Sequence, residues 1–142
     1  MKRYVFGLVL LLLLMGLAAS LKGIPKEIAG YNDWKVVAQG NLPTGGPHAG
    51  QNKEVYANPV AFAAWKSGKA LPVGSILVKT AGPDGAPTFV AEMRKDAKGW
   101  YYVEYGGKGG MYDLMAGGNM SQALCQNCHA KAKAKDYVFT RK

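Results

Sequence analysis

The chain has 142 residues, 18 Lys/Arg against 9 Asp/Glu and a formal net charge of +9. That length suits one domain around one core. A basic surplus can mark a nucleic-acid binder, but the cations are spread along the chain and only Lys131, Lys133 and Lys135 form a run. The surplus therefore reads as a solvated basic surface, with no nucleic acid as partner.

Lys2-Arg3, the apolar run from Val5 to Leu17 and the small residues Ala18-Ala19-Ser20 have the layout of a secretory signal peptide. The run is short for a spanning helix, which needs roughly 20 residues; an uncleaved anchor is the alternative. Residues 1–20 are thus expected to be a signal peptide, residues 21–142 one domain, and the mature protein periplasmic. Removing Lys2 and Arg3 leaves 16 Lys/Arg against 9 Asp/Glu.

Residues 21 to 31 read as a lead-in. Asp33 to Ala38 and Lys53 to Tyr56 have strand-like content, separated by a Gly/Pro-rich loop from Gly40 to Gly50. Asn58-Pro59 predicts an N-cap followed by proline at the first helical position. That helix carries Phe62 and Trp65 towards the core and stops at Gly68. Ser75 to Thr80, Thr88 to Arg94 and Trp100 to Tyr105 are strand candidates joined by Pro83-Asp84-Gly85 and Asp96-Ala97-Lys98-Gly99, which predicts an antiparallel meander. Gly106 to Gly118 reads as a glycine-rich loop, Ser121 to about Lys133 as a helix, and Asp136 to Thr140 as a last extended piece. The expected fold is a β-rich α+β single domain, a curved antiparallel sheet with a few helices, the last near the C-terminus.

Both cysteines fall in Cys125-Gln126-Asn127-Cys128-His129, a C-x-x-C-H sequence that reads as a c-type haem attachment site. Thiols three residues apart lie about one helical turn from each other on one face. They can form thioethers with two vinyl groups, and His129, four residues after Cys125, can ligate the iron from the same face. An export signal and a haem motif in one chain corroborate each other, and the basic surface then suits an acidic redox partner. A disulfide or thioredoxin-like pair is an alternative, but few residues follow the motif and His at the next position is the haem-specific addition. Structural zinc needs four ligands, with only His48 to spare.

Two common haem carriers fit poorly. No methionine follows His129 to act as the late axial ligand of the small electron-transfer cytochromes, and most of the chain lacks the helical periodicity of a four-helix cytochrome. The chain instead resembles the cytochrome P-460 family and its relatives, the beta-type cytochromes c prime. The resemblance is carried by Gly30-Tyr31-Asn32-Asp33-Trp34, Glu54-Val55-Tyr56-Ala57-Asn58-Pro59, Trp65-Lys66 and Leu71-Pro72-Val73-Gly74-Ser75-Ile76-Leu77-Val78-Lys79. It continues through Arg94-Lys95-Asp96, Gly99-Trp100, the haem motif and Asp136-Tyr137-Val138-Phe139-Thr140-Arg141.

The resemblance implies one covalent haem c on the sheet, held by Cys125 and Cys128 and ligated by His129, with an open distal position. It also implies a cross-link from Lys79 to the haem ring, and hydroxylamine oxidation to nitrogen oxides with electrons passed to an acceptor c-type cytochrome. The beta-type relatives imply nitric oxide binding without turnover; plain electron carriage is a third reading, and a homodimer is compatible with the family. Independently of family, an amine that bonds to a porphyrin carbon must be transiently unprotonated, which burial favours. Strand alternation puts Leu77 and Lys79 on one face and Ile76 and Val78 on the other.

The enzyme members use a distal carboxylate on the strand before the Lys-Asp turn. Ala91 falls at that position and Glu92 one residue later, so Glu92 should face away unless a bulge intervenes. Without a base, hydroxylamine oxidation loses about 10²–10⁴-fold of general-base assistance. Phe89 and Met93 share the Ala91 face and suit a small gas or plain core. His48, Met111, Met115 and Met120 are weaker candidates for the sixth ligand, Tyr101, Tyr102 and Tyr105 for lining the haem, and Asp113 for a base if its loop folds over the site.

Overall fold

Strand and helix signals alternate so that each β-rich run can pair with the next, and the computed structural model of the chain shows this outcome. It describes residues 23–40, 52–82 and 87–142, without the side chains of 118–120. The segment expected to be a signal peptide, the Gly/Pro-rich loop with His48, and Pro83-Asp84-Gly85 lie outside the described residues, and for Met120 only the backbone is described. Six strands pair in sequence order, each antiparallel to its neighbour: β1 (Lys35–Gly40), β2 (Lys53–Ala57), β3 (Ile76–Ala81), β4 (Phe89–Asp96), β5 (Gly99–Lys108) and β6 (Met111–Gly117). Helix α1 (Pro59–Ser67) joins β2 to β3, and α2 (Gly118–His129) follows β6. This is the expected β-rich α+β domain, and no helix among the described residues is long and apolar enough to cross a membrane.

Asn58 explains how α1 and β3 are tied together. Its Oδ1 accepts from the Ala61 N–H (2.9 Å), the capping bond expected of an Asn before a helix. The same oxygen accepts from the Ile76 N–H (3.1 Å), and Nδ2 donates to the Gly74 carbonyl (2.9 Å). Pro59 stands at the first helical position, and Gly68 closes the helix in the left-handed region at φ 68°. One buried amide therefore sets both the start of α1 and the start of the strand that carries Lys79.

The two faces of the sheet are packed differently. On one, Val78, Val90, Val103 and Tyr105 meet Ile24, Ile28 and Tyr31 of the lead-in segment, with Tyr112 beside them. On the other, Leu77, Trp100 and Tyr102 meet Ala57, Ala61, Leu71 and Val138, with Phe62, Trp65 and Cys125 against them. Alternation along β3 thus places Val78 in the first core and Leu77 and Lys79 on the second face.

Three expectations about the C-terminal half need correction. The segment expected to be a loop after Gly106 is instead the end of β5, a Gly109-Gly110 turn and the whole of β6. Its glycines made it look irregular, but they serve close packing. A Cβ on Gly106 would collide with the Met115 side chain, and one on Gly117 would come within 2.5 Å of the Tyr102 carbonyl oxygen. The last helix ends at His129 and continues as a 3-10 segment, Ala130–Lys135. Finally, Asp136 and Tyr137 are not extended: both adopt positive φ (55° and 65°), so the chain turns sharply there.

Candidate haem site

Pairing registers place residues from five strands in rows across the second face. One row runs Val55, Lys79, Ala91, Glu104, Ala116; the next runs Lys53, Ala81, Phe89, Gly106, Asp113. Neither the β3–β4 nor the β4–β5 pairing contains a bulge. Glu92 therefore points to the opposite face, between its partners Val78 and Val103, as the alternation predicts. It is 1% exposed, its Oε1 makes no hydrogen bond, and the Arg94 guanidinium lies 3.6 Å from it. Burial pushes its carboxyl above the usual range, with Arg94 opposing. Glu92 is a buried acid of the first core and does not belong to the site.

The carboxylate that shares the face with Lys79 is Glu104, which the sequence reasoning missed. Antiparallel pairing sets it directly opposite Ala91, while Lys79 flanks Ala91 on the other side. Two strand spacings of about 4.8 Å separate the Lys79 and Glu104 backbones, and the only side chain between them in that row is a methyl group. Burial depresses the Lys79 ammonium to about 8, against the pull of Glu104 and with a further push from Lys53. The Lys79 Nζ lies 5.7 Å from the centre of the Phe89 ring. Burial, followed by Glu104, also raises the Cys125 thiol.

Helix α2 is pinned across the edge of this face. Gln122 completes the backbone of Tyr102 where β6 has ended: its Oε1 accepts from the Tyr102 N–H (3.1 Å) and its Nε2 donates to the Tyr102 carbonyl. A bulge opposite Glu104 and Tyr105 puts an extra residue, Met115, into β6, and such bulges re-aim side chains. Met115 consequently lies over Gly106 on the Lys79 face, 65% exposed. Asp113 sits in the outer strand at the end of the Phe89 row, paired with Gly106 and not on a folded-over loop. Tyr102 lies on the site face, whereas Tyr105 belongs to the opposite core and Tyr101, next to Tyr102, packs against that core too.

His129 is oriented by the turn that follows it. Its Nδ1 lies 2.8 Å from the Tyr137 carbonyl. A carbonyl can only accept, so Nδ1 carries the proton and Nε2 is left with the lone pair that could ligate a metal. The ring packs on Tyr102 (4.5 Å between centres) and edge-on to Phe139 (5.4 Å). Asp136 holds the carbonyl in place: it accepts from Lys95 Nζ (2.8 and 3.1 Å), the Leu71 N–H (2.7 Å) and the Trp100 indole (3.3 Å). Burial opposes the charge on Asp136, but these donors hold its carboxyl below the usual range.

The side chains fit a covalently held haem. Cys125 and Cys128 carry free thiols, Cys128 exposed and Cys125 packed against the second core. A backbone-oriented imidazole follows them, and the adjacent sheet face pairs an amine with a carboxylate. Among the described residues no three His, Cys, Asp or Glu side chains converge as a metal cage. A family model described as Cytochrome P460 matches residues 28–140. The match spans all six strands, both helices and the C-x-x-C-H motif. No curated protein matches the chain.

Proposed function

The chain belongs to the cytochrome P460 family, and from that premise we propose an exported monohaem c-type cytochrome that oxidises hydroxylamine to nitrogen oxides and passes the electrons to an acceptor cytochrome. Cys125 and Cys128 hold the haem by thioethers, His129 ligates the iron through Nε2, and Lys79 stands where a further bond to the ring can form. When bound, the haem supplies an open coordination position for a small nitrogen ligand and a sink for electrons. Converting hydroxylamine to nitric oxide releases three protons and three electrons, so the protein must provide a route for protons.

The observation that carries this reading is the Lys79–Ala91–Glu104 row. An apolar gas pocket has no use for a carboxylate, and the enzyme position on β4 is an alanine. Glu104, one strand over on the same face, takes the proton-accepting role from the neighbouring position. Ala91 leaves room between it and Lys79. General-base help of this kind contributes about 10²–10⁴-fold.

The second reading, a beta-type cytochrome c prime that binds nitric oxide without turnover, is favoured by Phe89, Ala91 and Met93, which line the same face with apolar atoms. Glu104→Gln separates the two. Under the enzyme reading, hydroxylamine oxidation with an artificial acceptor falls by about 10²–10⁴-fold while haem content and nitric oxide affinity stay unchanged. The acid–alkaline transition of the ferric spectrum also moves to lower pH, because a nearby carboxylate disfavours loss of a proton. Wild-type protein that binds nitric oxide and never turns over hydroxylamine would leave only the second reading.

A further inference from the structure

Between Pro59 and Ser75, and again from Leu114 to Lys142, the only acidic residue is Asp136, and it is occupied by Lys95. The same stretches carry Lys66, Lys69, Lys131, Lys133, Lys135 and Lys142, all exposed. The fold brings them to one region. The Tyr137 N–H bonds the Ala132 carbonyl (2.9 Å) and the Val138 N–H the Lys135 carbonyl (3.2 Å), folding the tail onto the 3-10 segment. Arg141 donates to the Lys69 carbonyl (2.8 Å) and stacks over Trp65, tying the tail to the end of α1. Between tail and helix lies a cavity of about 440 Å³ lined in part by Lys66, Arg141 and Lys142.

Within this region stands Phe139, 38% exposed, its ring edge-on to the His129 imidazole at 5.4 Å. An aromatic that touches the iron-ligating ring on one side and solvent on the other gives electrons a short way out. Exposed lysines on segments whose one acid is already paired with Lys95 attract and orient a negatively charged protein.

We propose that the surface formed by the 3-10 segment, the C-terminal tail and the end of α1 is the docking site for an acidic, one-electron-accepting redox protein, with Phe139 at its centre. The assignment rests on the haem-bearing reading of the site. Each encounter moves one electron from this chain's haem to the acceptor's oxidised centre, with no proton transferred.

The test uses the full-length holoprotein reduced with dithionite, so that hydroxylamine turnover does not enter. Its oxidation is followed with an acidic c-type cytochrome, a basic c-type cytochrome and a cationic cobalt(III) complex. The wild-type rate with the acidic cytochrome is expected to fall steeply as ionic strength rises. Lys133→Glu/Lys135→Glu and, separately, Lys66→Glu/Lys69→Glu should each lower it about 10–10³-fold at low salt. Both variants should speed the basic cytochrome, and haem content and nitric oxide binding should stay as in wild type.

Equal effects on both cytochromes, or no effect on either, overturn the proposal. So does binding to vesicles of phosphatidylcholine with phosphatidylserine that the substitutions abolish while the acidic cytochrome's rate is untouched, since the lysines would then serve a membrane. Absence of a haem spectrum in wild type would instead sink the reading of the site, independently of any rate.

Discussion

Replacing Asp136 with Asn tests the turn that orients His129. Asparagine tolerates the left-handed conformation at φ 55°, so the backbone is not strained by the exchange. What changes is the charge and one acceptor. The Lys95–Asp136 pair is 21% and 13% exposed, between a surface pair worth about 0–1 kcal/mol and a buried one whose breakage costs about 3–5 kcal/mol. About 2 kcal/mol is a fair midpoint. The new amide NH₂ must also face one of the Leu71, Trp100 or Lys95 donors, which adds about 1 kcal/mol.

The expected loss is thus about 3 kcal/mol, or roughly 10–20 °C in Tm for a domain of this size. Because the folded carboxyl titrates below its ordinary value, its contribution is fully present above the unfolded value of about 3.9 and is lost as pH falls through the folded one. Denaturant unfolding of wild type and Asp136→Asn at pH 7 and pH 2.5 should show a large gap that closes in acid. A gap under 1 kcal/mol at pH 7, or one that is the same at both pH values, would refute the account of Asp136 as the anchor.

Glu92→Gln should act in the opposite sense. The acid's folded value is raised by burial, so its stabilisation is greatest when protonated, below the unfolded value of about 4.3, and declines as pH rises towards the folded one. The amide should stabilise the protein by about 1–2 kcal/mol at pH 7 and by nothing near pH 4; urea midpoints at the two pH values check this, and destabilisation at pH 7 would mean that Arg94 dominates. Lys79, held near 8, should gain reactivity towards the haem ring as pH rises from 7 to 9, read from the growth of a red-shifted ferrous Soret band and from intact mass. Lys79→Ala and Lys79→Arg should both abolish it, the latter because a guanidinium stays protonated; a pH-independent yield would show that deprotonation of Lys79 does not limit the bond.

Much of the architecture was legible locally. Asn58-Pro59 and Gly68 act through hydrogen bonds and φ angles within a few residues, so a sequence window contains the whole cause. The loop expected after Gly106 was misjudged because its glycines answer to Met115 and Tyr102, partners brought close only by the bulge and by the start of α2. Glu104 was within reach. The turn closed by the Asp96–Gly99 pair, with Asp96 Oδ1 accepting from the Lys98 N–H at 2.7 Å, fixes the hairpin register. Stepping back along both strands from that pair arrives at Ala91 opposite Glu104. Looking for the acid along β4 alone hid a partner that sits across the ladder.

By itself the sequence determined the C-x-x-C-H motif, the meander, and the faces of Leu77, Val78, Lys79 and Glu92, because motif spacing and strand alternation are properties of neighbouring residues. Only the tertiary structure decided what surrounds them. Asp136, far along the chain from Leu71 and Trp100, becomes the anchor of the His129 turn. Glu104, not Glu92, becomes the acid beside Lys79. Both outcomes depend on register and on long-range hydrogen bonds, which no local pattern contains.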